Sequence, residues 1–263
     1  MKSLWPLVCV FVLLAGPANA DVWDTATESD NDVNTDNELV HGSEQVHDMS
    51  AQAGPVADQD WYRVTLPPYS SFEVVMDGTT GDLNVSFNET QLDLLDAAGT
   101  SVLQAHSCIG AACFSKRLGW RNTTASAVLY NVRVSGAGCT TTCTTADQYR
   151  IIGRETTVYL ARFNNGGAQI TVLLSQNASD APLNASYFYW STTGTLLQTG
   201  SLAAFASHNL NVFNTTSFAP LQGVGGHITI AHDAPYGTLN VKSVALEPTT
   251  GFSFDTPGVI RPY

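Results

Sequence analysis

The sequence predicts an all-β protein built as two consecutive antiparallel β-sandwiches. Three observations carry this expectation. Short runs of alternating apolar and polar residues recur from residue 60 to the C-terminus. Gly, Pro, Asn and Asp turn signals separate these runs every few residues. No stretch keeps a helical period over ten residues. Composition agrees: the chain is 44% hydrophobic but only 13% charged, and Val, Thr, Tyr and Phe suit half-buried strands.

Residues 1–20 read as a secretory signal peptide. Lys2 is basic, residues 4–14 are apolar, and Ala18-Asn19-Ala20 ends in a small-x-small pattern, with cleavage expected before Asp21. The apolar run is too short for an ordinary membrane span, and no second candidate follows. A soluble product, extracellular or periplasmic, is expected. Residues 21–60 then carry eleven Asp and Glu and no Lys or Arg. With a net charge of −12, nucleic acid is a poor partner, because phosphate binding needs clustered Lys and Arg.

The acidic segment, 21–57, holds possible short strands at 38–40 and 45–49. The first sandwich is expected over 58–153, with strands at 61–66, 71–76, 82–87, 91–96, 101–104, 114–118, 127–134 and 149–152. Pro67-Pro68, Asp77-Gly78 and Ala98-Gly99 mark turns. The second is expected over 155–263, with strands at 157–163, 168–176, 186–191, 196–200, 207–212, 227–232 and 239–246. Seven strands in about a hundred residues is the count of an immunoglobulin-like sandwich. The tail, 251–263, reads as a terminal strand or an extended segment across the sandwich.

Cys9 leaves with the signal. Cys108, Cys113, Cys139 and Cys143 remain, and an even number in an exported chain reads as two disulfides. Local pairing within CIGAAC and CTTTC closes short loops worth about 2 kcal/mol each; pairing across is worth about 4 kcal/mol. Local pairing is favoured because both pairs lie in small-residue turns. Two thiolate pairs also match zinc spacing, a weaker reading in an oxidising compartment.

Several segments of the first half resemble the bacterial pre-peptidase C-terminal (PPC) domain, a sandwich of jelly-roll type appended to secreted peptidases. The matching residues are Glu28-Ser29-Asp30-Asn31-Asp32, residues 42–48, Asp58-Gln59-Asp60-Trp61-Tyr62-Arg63-Val64, Leu92-Asp93-Leu94-Leu95-Asp96 with Gly99, Tyr130-Asn131-Val132-Arg133-Val134 and Tyr149-Arg150-Ile151. The cysteine loops depart from that pattern, and no peptidase is attached. The second half resembles uncharacterised sandwich modules of exported bacterial proteins. The PPC resemblance implies a calcium site at Glu28, Asp30, Asp32, Asp58 and Asp60. Independently, Asp30, Asp32, Asn34, Asp36 and Glu38 fall on alternate positions and supply oxygen donors. Thr35 stands where an EF-hand needs Gly, so this is not an EF-hand. The competing reading is a solvated acidic leader.

No catalytic constellation rises above background, and no enzyme is expected. Gly-x-Ser-x-Gly and His-Glu-x-x-His are missing. His227 and His232 fall on opposite faces of one strand. In the run Tyr187-Phe188-Tyr189-Trp190 one pair must face a core; Tyr187 and Tyr189 are the candidate sugar-stacking pair if exposed. Asn-x-Ser/Thr sequons at Asn84, Asn88, Asn122, Asn177, Asn184 and Asn214 read as chance in a Thr- and Asn-rich bacterial chain. The expected function is a non-catalytic secreted or surface accessory protein. It binds an extracellular protein or polysaccharide, with a carbohydrate-binding module or a peptidase partner as alternatives.

Overall fold

The computed structural model describes residues 30–49, 58–78, 90–107, 115–136 and 148–261. The chain is all-β, and its four sheets pair antiparallel throughout. Among the described residues there is no α-helix, and no helix is long and apolar enough to cross a membrane. The cysteines, Glu28, the signal segment and the expected strand at 82–87 lie outside the described residues.

In the first sandwich, one sheet orders β1 (Glu44–Asp48), β8 (Gln148–Glu155), β3 (Ser70–Gly78) and β6 (Ser115–Asn122). The other orders β2 (Gln59–Leu66), β7 (Val128–Gly136), β4 (Thr90–Leu95) and β5 (Val102–Ser107). Period-2 alternation turns Tyr62, Val64 and Leu66 of β2 onto Phe72, Val74 and Met76 of β3. The segment before β1 is part of this sandwich. Its backbone runs beside β2, with Leu39 N–H donating to Arg63 O and Arg63 N–H to Asn37 O, then crosses to β8, where Gly42 N–H reaches Gly153 O. Leu39 is buried in the core. Residues 30–43 therefore cover an edge that would otherwise present unpaired backbone groups.

In the second sandwich, one sheet orders β13 (Leu210–Asn214), β10 (Ile170–Asn177), β15 (Leu239–Leu246) and β16 (Ser253–Pro257). The other orders β12 (Leu196–Phe205), β11 (Leu183–Ser191), β14 (Gly225–His232), β9 (Val158–Asn164) and β17 (Val259–Ile260). The strand expected at 207–212 begins at Leu210, because His208 takes a left-handed backbone (φ 54°) and Asn209 N–H closes a turn on Ala206 O. The tail forms two strands in different sheets. Gly258 is the crossover: its N–H donates to Val241 O, and a Cβ there would lie 2.7 Å from Val158 Cγ1.

Three sequons are loop-closing devices. Asn122, Asn177 and Asn214 each accept from the backbone N–H and the hydroxyl two residues on, at Thr124, Ser179 and Thr216. This is an Asx turn reinforced by a Ser/Thr hydroxyl. Asn122 and Asn177 are also buried, and each amide nitrogen donates to three backbone carbonyls.

β8 and β9 are joined only by Thr156 and Thr157, both buried. Thr157 Oγ1 accepts from Ser71 N–H, and Thr156 N–H donates to Ser71 O. The outer face of β3 and β6 meets the 233–236 turn: Arg117 donates to Glu73 and to Asp233 O, and Glu73 also accepts from Tyr236 N–H. Arg154 pairs with Glu73 at 3.2 Å. Gly119 sits beneath this turn, where a Cβ would lie 2.6 Å from Asp233 O.

Candidate functional site

Among the described residues, a buried group of titratable side chains lies inside the first sandwich, where the acidic segment meets β1 and β2. Alternation on β1 turns Gln45 and His47 inward while Glu44 and Val46 face solvent. His47 pairs across the sheet with Tyr149 of β8. From the facing sheet, Asp60 and Tyr62 share the inner face of β2. Asp30 is positioned from outside the strands: its carbonyl accepts from Trp61 N–H, which anchors it beside the start of β2.

Donor atoms of Asp30, His47 and Asp60 lie within 4.8 Å of one another, and each residue is 1% exposed. His47 Nδ1 faces Asp30 Oδ2 at 3.3 Å. His47 Nε2 is 2.9 Å from Gln45 Oε1, so it donates there. The ring stacks on Tyr149 and meets Tyr62 edge-on, with centroids at 5.7 and 5.1 Å. Tyr149 donates its hydroxyl to Asp60 Oδ2, and the Tyr62 and Tyr149 hydroxyls are 2.6 Å apart. Burial first, and the Asp60 carboxylate second, hold the Tyr149 phenol well above its usual range. Neither oxygen of Asp30 accepts a hydrogen bond.

Of the five expected calcium ligands, the structure brings Asp30 and Asp60 together. Asp32 is exposed, and its Oδ1 accepts from Asn34 N–H in a turn. Asp58 is buried beside β2, where its Oδ1 accepts from Gln59 N–H. The sequence alone does not single out His47, Tyr62 and Tyr149 as site residues. A lone His in a strand has no spacing signature, and the Tyr pair joins residues 87 positions apart.

The candidate sugar platform needs correcting. Tyr187 and Tyr189 are 5% and 1% exposed and face the second core. Tyr189 meets Phe163 edge-on, and Tyr187 donates to Ser175 Oγ. The alternate pair, Phe188 and Trp190, faces the first sandwich and packs on Tyr69 at 4.7 and 5.0 Å. Both faces of β11 are therefore occupied by protein, because this strand lies in the sheet that docks on the first sandwich.

An apolar surface lies on the opposite sheet of the second sandwich. Register places Val212 beside Leu174, Val172 beside Val244, and Ile170 beside Leu246 on its outer face. Leu210 and Val212, on the edge strand β13, are 54% and 59% exposed. Lys242, paired with Asp255 at 2.8 Å, gives this face a charged margin. A second edge strand, β5, exposes Val102 and Leu103.

No protein-family model and no curated protein matches the chain. Among solved structures it is similar to the full extracellular region of zebrafish Gpr126/Adgrg6, at 9% identity over 83% of this chain and 30% of that one, TM-score 0.26. It is similar to a fucolectin from striped bass (Morone saxatilis) serum, at 10% identity over 84% of this chain and 87% of that one, TM-score 0.25. It is also similar to the adhesin domain of Epf from Streptococcus pyogenes, at 8% identity over 84% and 77%, TM-score 0.23.

Proposed function

We propose that this is a non-catalytic extracellular binding module that recognises a protein through the outer face of β13, β10 and β15. The aliphatic row on that face carries the reading. Contiguous exposed apolar side chains with a charged margin mark protein-interaction sites. The exposed edge of β13 adds backbone donors and acceptors for strand addition. Burial of Tyr187 and Tyr189 weighs against sugar stacking on β11. Burial of the Asp30–His47–Asp60 group weighs against catalysis, since a substrate has no access to side chains 1% exposed. A divalent cation held by Asp30 and Asp60 belongs to the same reading, fixing the acidic segment on the first sandwich. The PPC resemblance and export to the cell exterior fit a module of this kind.

The test is an array of immobilised extracellular proteins and polysaccharides, probed with the secreted form and with Val212→Glu. Binding to a protein, lost in Val212→Glu at an unchanged melting temperature, is the expected result. Binding confined to polysaccharides, or turnover of peptide, ester or glycoside substrates, would overturn it.

A further inference from the structure

We infer that Asp30, His47 and Asp60 bind a first-row transition metal of the zinc class rather than calcium. This rests on the reading that a divalent ion fixes the acidic segment, and it names the ion from the donors present. The His47 tautomer is the starting point. With Nε2–H donated to Gln45 Oε1, the neutral ring carries its lone pair on Nδ1. That nitrogen faces Asp30 Oδ2 at 3.3 Å. Two lone-pair atoms at that separation, away from water, need a cation between them or a proton on the ring.

Two buried carboxylates favour the cation: Asp60 stands beside Asp30 in the group. Asp30 accepts no hydrogen bond on either oxygen, and buried carboxylates normally have both charge and hydrogen-bond partners. A divalent ion among three donors that lie within 4.8 Å of one another balances both carboxylates at once.

The donor types choose the ion. Calcium takes six to eight oxygens and does not favour imidazole. Zinc-class ions take mixed nitrogen and oxygen sets at low coordination number. Asp32 and Asp58 lie outside this group of donors, and Oδ1 of each accepts from a backbone N–H, of Asn34 and Gln59. Gln45 completes the pattern. A ligating His usually donates its other nitrogen to a fixed carbonyl, which sets ring orientation and basicity. Gln45 is a positioning residue here. The burial of the group makes the ion structural: it ties residue 30 to β1 and β2.

The test starts from the exported protein stripped with chelator. Zinc, manganese and calcium salts are added separately, and melting temperature and bound metal per chain are read. Zinc should raise the melting temperature until one ion is bound per chain, and calcium should not. Asp30→Asn and His47→Gln should remove the rise. Gln45→Ala, a change at a half-buried surface position, should weaken zinc about 10–100-fold. X-ray absorption on the wild-type zinc form reads the ligands without any variant and should show imidazole and oxygen without sulfur. A rise with calcium and none with zinc would overturn the zinc assignment and leave the ion-fixed segment standing. Sulfur in the zinc shell would move the ion to the cysteines and overturn the assignment. No rise with any ion would overturn both.

Discussion

At Asn122, Asn177 and Asn214 one side chain closes each loop, and burial sets how much each matters. Asn177→Ala removes the buried amide that donates to the Ala181, Phe205 and Ala206 carbonyls and accepts from Ser179. It should cost about 3 kcal/mol in urea denaturation. Asn214 is exposed and caps a short 3-10 turn, so Asn214→Ala should cost about 1 kcal/mol or less. Equal losses would contradict this account of the two turns. His232 offers a pH test. Burial first, and Arg117 second, push its imidazole down to about 4, against an ordinary value of 6.5. Between these values the unfolded chain binds more protons than the folded one. This contribution to stability is therefore fully present above pH 6.5, falls as pH drops through the window, and is flat below 4. The span is about 3 kcal/mol. Urea midpoints measured from pH 7.5 to 4 should show it, and His232→Leu should flatten that part of the curve.

At the scale of elements, most strands could be read from the sequence. The alternation at 61–66, 71–76 and 239–246 sits within β2, β3 and β15, because each has one face on a core and that face must repeat every second residue. The acidic segment was only partly legible. Its charge suggested a solvated leader, yet Thr35, Asn37 and Leu39 are buried while Asp36 and Glu38 face out. Five polar or acidic residues on alternate positions masked a strand-like period. The site was half legible: Asp30 and Asp60 could be named, whereas His47 reached them only through pairing of β1 with β8, about a hundred residues away. The aromatic run on β11 gave the pairs correctly but not which pair met the core. That depends on the docking of one sandwich on the other. Gly226 makes a prediction here. A Cβ would lie 1.7 Å from Trp190 O, at the irregular step where β14 leaves the β9 register. Gly226→Ala should separate β14 from β11, seen as faster hydrogen exchange in both strands.

At the scale of the molecule, the two sandwiches are joined by a two-residue connection, by the packing of Phe188 and Trp190 on Tyr69, and by a polar cluster centred on Glu73. Glu73 is buried and receives Arg117, Arg154 and Tyr236 N–H. Such an interface should make unfolding a single cooperative transition. Gly119→Ala places a methyl group against Arg117 Nη2 and Asp233 O, at 2.4 and 2.6 Å, and removes no charged group. In calorimetry the wild type should give one transition and Gly119→Ala two. A wild type that already melts in two steps would contradict rigid coupling. Coupling matters for the proposed function because it occupies the outer face of β11 and leaves the β13–β10–β15 face as an apolar surface open to a partner.

Hydrogen exchange of the exported protein, with and without the protein ligand found on the array, tests that claim most directly. Protection confined to β13, β10 and β15 is the predicted result. Protection at β5 alone, or at the turns around Asp180 and Gly194, with β13 unchanged, would contradict it.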